Sequence, residues 1–189
     1  MKQKILIALS GASGIGYAVH LLKELNKIKE IEVELIVSDY AEKIIELEEE
    51  NTSLSELKKL ASKVYDNSDL AAAPSSSSYL IDAMIVIPCS IKTAGEIANA
   101  NCGTLISRTA DNMLKMKKKL ILCVRETPLS SPVLKNLYDL AMYGAIVLPL
   151  SPGFYHKPKE LTDLKSFITS KILDVLGIEN NFIKRWDSH

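Results

Sequence analysis

The sequence predicts an α/β fold in which a mainly parallel sheet is covered by helices on both faces. Two observations carry this. Short, almost wholly apolar runs alternate with longer segments whose apolar residues recur every three or four positions. Motifs rich in glycine, hydroxyls and cations follow several of those runs, at the carboxyl ends of strands where open α/β sheets gather their ligand groups.

The elements follow in order. Lys4 to Leu9 is the first buried strand, and Ile15 to Leu25 is a helix with Val19, Leu22 and Leu25 among its core contacts. Ile31 to Val37 is the second strand. Asp39 is placed to cap the next helix, where Ile44, Ile45 and Leu47 are apolar beside Glu42, Lys43 and Glu46. Leu54 to Val64 reads as one more helix. Asp66-Asn67-Ser68 and Ala71 to Ser78 form the least regular stretch, either a loop over a site or a disordered segment. Ala83 to Ile87 is a strand ended by Pro88, and Ser90 to Ala100 and Leu105 to Met116 are helices. Lys119 to Val124 returns to a strand, Val133 to Met142 is helical, Ala145 to Leu148 is a strand, and Leu161 to Leu176 is the closing helix.

With 189 residues the chain is read as a single domain, 1–189, with no repeated block. Lys plus Arg equals Asp plus Glu at 23 each, so net charge offers no broad attraction to nucleic acid. Cys89, Cys102 and Cys123 form neither a C-x-x-C pair nor a zinc pattern, which favours free thiols in a reducing compartment. No secretory leader pattern and no run of membrane-spanning length is present, so the sequence predicts a soluble, cytoplasmic protein with no membrane partner.

Gly11-Ala12-Ser13-Gly14-Ile15-Gly16 lies between the first strand and its helix. Its G-x-x-G-x-G spacing differs from the dinucleotide fingerprint, leaving a phosphate-binding turn or a purely structural one. Pro88-Cys89-Ser90-Ile91-Lys92-Thr93 offers hydroxyls and amides for a flavin or phosphate edge, or simple helix capping. Cys89 lacks a neighbouring histidine and reads as a packing thiol. Val124-Arg125-Glu126-Thr127-Pro128-Leu129 sets a fixed cation beside a carboxyl after a buried strand, suited to holding an anion and moving a proton, or to a surface ion pair. Arg108, Asp111 and Lys115 share one helical face, as a solvated charged stripe also would. Phe154-Tyr155-His156-Lys157-Pro158 presents a Tyr and a His from a turn, or an aromatic packing cluster. His20 and His189 have no partner motif and are assigned no chemistry.

Taken together, and followed by Leu173-Asp174-Val175-Leu176-Gly177-Ile178 and Arg185-Trp186, these motifs resemble the UbiX-type flavin prenyltransferase family in order and spacing over nearly the whole chain. The resemblance implies a Rossmann-like (flavodoxin-like) three-layer sandwich that assembles as a homododecamer and binds FMN at subunit contacts. It implies transfer of a dimethylallyl group from dimethylallyl phosphate or diphosphate to N5 and then C6 of reduced FMN. The product, prenylated FMN, serves a UbiD-type decarboxylase, and no metal is required.

By the same resemblance Gly11, Ala12, Ser13, Ser38, Ser90, Ile91, Lys92, Thr93 and Arg125 surround FMN. Tyr155 and Lys171 hold the prenyl phosphate, completed by Arg108, Lys115 and Glu126. Ser13, Glu48, Glu126, Lys115 and Trp186 are the expected catalytic set, with Trp186 reaching an adjacent subunit to flank the prenyl group. Lys171 stands where some members have Arg, which keeps the charge and loses the two-pronged geometry. Ser75-Ser76-Ser77-Ser78-Tyr79 replaces a loop that often reads Ser-Ser-Gly-Ser-Phe, and Gly103 replaces a common acid. A flavin-dependent cysteine decarboxylase and a non-catalytic FMN-binding module are the alternatives.

Overall fold

The computed structural model describes residues 2–50 and 52–186; His189 lies outside them. Six parallel strands form one sheet in the order β3-β2-β1-β4-β5-β6. The strands are β1 Gln3–Leu9, β2 Ile31–Val37, β3 Lys63–Asp66, β4 Ala83–Cys89, β5 Lys119–Val124 and β6 Ile146–Val147. The helices are α1 Ile15–Leu25, α2 Asp39–Glu48, α3 Leu54–Lys58, α4 Ile91–Ala98, α5 Leu105–Lys115, α6 Ser131–Met142 and α7 Leu161–Leu176.

Alternation along β1 builds the two outer layers. Ile5, Ile7 and Leu9 face a core shared with α1, α2, α3 and α7, whereas Leu6 and Ala8 face one shared with α4, α5 and α6. Successive strands step outward from β1 to β3 and then, restarting beside β1, from β4 to β6. The order in which strands are added therefore reverses between β1 and β4, and a crevice opens where those two strands end.

Several local expectations are corrected. Leu54 to Val64 is not one helix. A capping box between Ser53 and Glu56 starts α3, which stops at Lys58, and Val64 and Tyr65 pair with Leu35 and Ile36 as part of β3. Asp39 is the first residue of α2 rather than its cap. The extended Ser38 occupies that position, and Asp39 sits in the first turn where its charge suits the helix dipole. In α2 the buried residues are Ala41 and Ile45, while Leu47 is exposed. Pro88 does not end β4, which reaches Cys89 across a register shift against β5, an arrangement that tolerates the missing proline N–H. The stretch around 71–78 contains a short 3₁₀ turn, Ala73–Ser75, packed on α5.

His20 of α1 lies against α7, with Nδ1 2.8 Å from Thr169 Oγ1 and Nε2 3.3 Å from Ser166 Oγ. Burial pushes its pKa below the ordinary histidine value, and Lys165, Lys27 and Lys23 add to this against Glu24. The unfolded chain therefore binds a proton at higher pH than the native one. The stability held in neutral His20 is complete above the ordinary pKa of about 6.5 and is lost as pH falls through the native pKa. Denaturant unfolding followed from about pH 8 to about pH 5 should show a shallower loss of stability in His20→Gln than in the parent. Equal slopes would remove His20 from that role.

Candidate active site

The crevice between β1 and β4 holds a cleft of about 500 Å³ lined by Ser10, Gly11, Ser38, Ser90, Lys92 and Thr104 among others. Its two walls are joined by Ser10, a residue not singled out from the sequence. Ser10 Oγ donates to the Pro88 carbonyl at 2.7 Å and accepts from the Ser90 amide at 2.9 Å, with Ser10 only 2% exposed. Ser90 in turn caps α4, accepting from the Thr93 amide at 3.2 Å and donating to Thr93 Oγ1 at 3.0 Å. One hydroxyl thus fixes the β1 end against the start of α4.

The 11–14 turn needs its glycines for different reasons. A Cβ at Gly11 would stand 2.6 Å from Tyr40 Cβ, and Gly14 has φ +97°. Ser13 is exposed in this turn and Ala12 is buried. Glu48 reaches back from the end of α2, and its Oε2 accepts from the Gly14 and Ile15 amides at 2.8 and 3.0 Å. Two of the free amides that made this helix end attractive to a phosphate are therefore already bonded to a carboxylate. Glu49 pairs with Lys165 at 3.1 Å, tying the same corner to α7.

Ser38 Oγ and Arg125 Nε are buried and have no hydrogen-bond partner among the described residues. Both stand directly after strands, at the carboxyl edge of the sheet, and Ser38 lines the cleft. Buried polar atoms are ordinarily satisfied, so this pair suits a polar ligand such as the phosphate or ring edge of FMN. Lys92 is exposed and pairs with Glu96 at 3.4 Å. Glu126 Oε1 accepts from the Thr127 amide at 3.1 Å. Burial pushes the Cys89 thiol up to about 12, consistent with a packing role.

A second group forms where the 151–158 segment meets α7. Tyr155 stands edge-on to Phe167 and Trp186, with ring centroids 5.9 and 5.5 Å away. His156 stacks on Phe167 at 5.4 Å, and neither of its ring nitrogens has a partner among the described residues. Lys171 Nζ lies 5.4 Å from the Phe167 ring centroid. Phe167 is the centre of this cluster, and its only advance signal was its i, i+4 spacing from Lys171. Trp186, expected to reach an adjacent subunit, is largely exposed and touches Tyr155 of its own chain.

Arg108 and Lys115 are not brought to that cluster. They lie on α5, packed on the opposite face of the sheet from α7. The start of α5 is held to Asn67 at the carboxyl edge, while Lys115 sits near its far end and pairs with Asp111. Arg108 Nε donates to the Ser75 carbonyl at 3.3 Å. One copy of the chain therefore carries the expected phosphate-binding cations in two separate places.

Among the described residues no helix is long and apolar enough to cross a membrane. The Flavoprotein family model matches residues 1–173. The chain is 44% identical to the flavin prenyltransferase UbiX of Saccharolobus solfataricus, over 97% of this chain and 92% of that one. AnUbiX (PadA1), solved in complex with FMN and dimethylallyl pyrophosphate, is 36% identical with a TM-score of 0.95 over all of both chains. A dodecameric FMN-dependent UbiX-like decarboxylase from Escherichia coli O157:H7 is 35% identical, with a TM-score of 0.95 over 98% of this chain and 100% of that one. The sheet order, the cleft at its switch point and these full-length likenesses lead to one assignment: the chain belongs to the UbiX-type flavin prenyltransferases of the flavoprotein family.

Proposed function

We propose that the whole chain, 1–189, works as one cytoplasmic domain that joins a dimethylallyl group to reduced FMN. The donor is dimethylallyl phosphate or diphosphate, and the product passes to a UbiD-type decarboxylase. The observation that carries the proposal is the pair of buried polar groups without a partner among the described residues, Ser38 Oγ and Arg125 Nε, at the carboxyl edge of the sheet, where Ser38 lines the polar cleft. The Lys171 ammonium beside the Phe167 ring supports it. Three cysteines without a disulfide support the cytoplasmic setting.

FMN, when bound, supplies the N5 and C6 atoms at which the new bonds form. Gly11, Ala12, Ser13, Ser38, Ser90, Ile91, Lys92, Thr93 and Arg125 would hold it through amides, hydroxyls and a guanidinium. Lys171 draws on the negative charge of the departing phosphate, and Tyr155 donates its hydroxyl to the same anion. Glu126 moves a proton to or from that phosphate. The rings of Tyr155 and Trp186 exclude water from the allyl cation and offer it their π-faces. Ser13 orients the flavin's reacting edge or relays a proton there. Glu48 keeps the 11–14 turn in shape by accepting hydrogen bonds from the Gly14 and Ile15 amides. The separation of α5 from α7 supports a shared site, with Arg108 and Lys115 reaching the phosphate from another copy in a homo-oligomer of the dodecameric kind.

Anaerobic incubation of the purified protein with reduced FMN and dimethylallyl phosphate or diphosphate should yield a flavin heavier by one prenyl unit in the mass spectrum. Unmodified flavin with both donors would overturn the proposal. Release of CO2 from a peptidyl cysteine without a donor would move the chain to the decarboxylases, and bound FMN without turnover would make it a carrier.

A further inference from the structure

Residues 67–80 form a strap from β3 to the start of β4, and Tyr79 anchors its far end in a partly buried polar network around the buried Glu34. Its hydroxyl donates to Glu34 Oε1 at 2.5 Å and accepts from Lys4 and Lys63 Nζ at 3.1 and 3.0 Å. Glu34 of β2 is 0% exposed, and its other oxygen accepts from the Tyr65 hydroxyl at 3.2 Å. The two ammonium groups stand 3.5 and 3.8 Å from Glu34 Oε1, and Lys4 Nζ lies 4.3 Å above the centre of the Tyr79 ring. A buried carboxylate is tolerated only when its oxygens are bonded and its charge is met. Glu34 therefore holds Tyr79 to one place.

The strap's middle is bonded to α5. The Ser75 carbonyl accepts from Arg108 Nε at 3.3 Å and Asn112 Nδ2 at 2.9 Å, and the Pro74 carbonyl accepts from Thr109 Oγ1 at 3.2 Å. The link between anchor and contact is short and closed. The Tyr79 amide donates to the Ser76 carbonyl at 3.1 Å, and the Ser76 amide donates to the Ala73 carbonyl at 3.2 Å. Arg108 is otherwise exposed, so the Ser75 carbonyl is what directs its planar guanidinium.

We propose that Tyr79 is a positioning residue: bonded to Glu34, it holds the strap whose Ser75 carbonyl orients Arg108 for the prenyl phosphate. The proposal rests on Arg108 being a phosphate ligand, as set out above. In full-length protein saturated with reduced FMN, Tyr79→Phe should raise KM for dimethylallyl phosphate about fivefold, with kcat changed less than about twofold and FMN affinity unchanged. Glu34→Gln keeps an acceptor for the hydroxyl and should hold KM nearer the parent value. An unchanged KM, or a KM that rises only together with loss of FMN affinity, would overturn the proposal.

A ligand-free crystal structure of Tyr79→Phe reads the same point without turnover. The Ser75 carbonyl displaced from Arg108 supports the positioning role, and an unmoved pair overturns it whatever the kinetics. Should the parent protein fail to turn over, the functional proposal falls, and this structure still decides whether Tyr79 places Arg108.

Discussion

Replacing Lys171 by Met should lower kcat/KM for the prenyl phosphate by on the order of a hundredfold, corresponding to loss of a charge-assisted contact of about 2–3 kcal/mol. Lys115 and Lys92 are each ion-paired within their own helix, whereas Lys171 makes no ion pair within 4 Å among the described residues and meets Asp174 only at longer range. Lys171 is half-buried, with its ammonium over Phe167, where a phosphate is less screened than at an open surface. Because the leaving group gains charge as its bond breaks, the loss should fall on kcat as well as KM. Lys171→Arg keeps the charge and should retain activity within about tenfold of the parent. Steady-state kinetics with saturating reduced FMN measure both variants. An unchanged kcat/KM in Lys171→Met would place the phosphate elsewhere.

Ser10→Ala should lower the melting temperature by roughly 4–8 °C and weaken FMN binding by about tenfold. The alanine leaves the Ser90 amide and the Pro88 carbonyl without the hydroxyl that joined them, in a place too closed for easy replacement by solvent. An unmade buried hydrogen bond costs about 1–3 kcal/mol. The same change frees the start of α4 from the end of β1, and the cleft is the gap between them. Thermal unfolding and a flavin fluorescence titration test the two effects separately. A full loss of stability with intact FMN affinity would leave Ser10 a fold residue alone.

The sheet, both helical layers and the places of Gly11, Ser38, Ser90 and Lys92 at the cleft were legible because they follow from short-range patterns. Apolar runs marked five of the strands, and a residue directly after a buried strand, such as Ser38, Ser90 or Arg125, can only emerge at the carboxyl edge. What was not legible depended on distant partners. Ser10 matters through Pro88 and Ser90, 78 and 80 residues on, and nothing beside it in the chain announces this. β3 was lost inside a helix because Leu54 and Leu57 continue into Val64 without a glycine or proline, and only pairing with β2 separates them. Phe167 read as one more apolar position of α7. The split between Lys115 and Lys171 lies beyond any local pattern, since it arises from which side of the sheet each helix covers.

The carboxylate that Glu48 places on Gly14 and Ile15 has a consequence for how the protein responds to its medium. One helix end brings its own counter-ion, supplied by the same chain, and so has little to exchange with dissolved salt. Ionic strength should then act on flavin binding mainly through Arg125 and Lys92, leaving the glycine turn to contribute shape while the residues that follow β4 and β5 contribute charge.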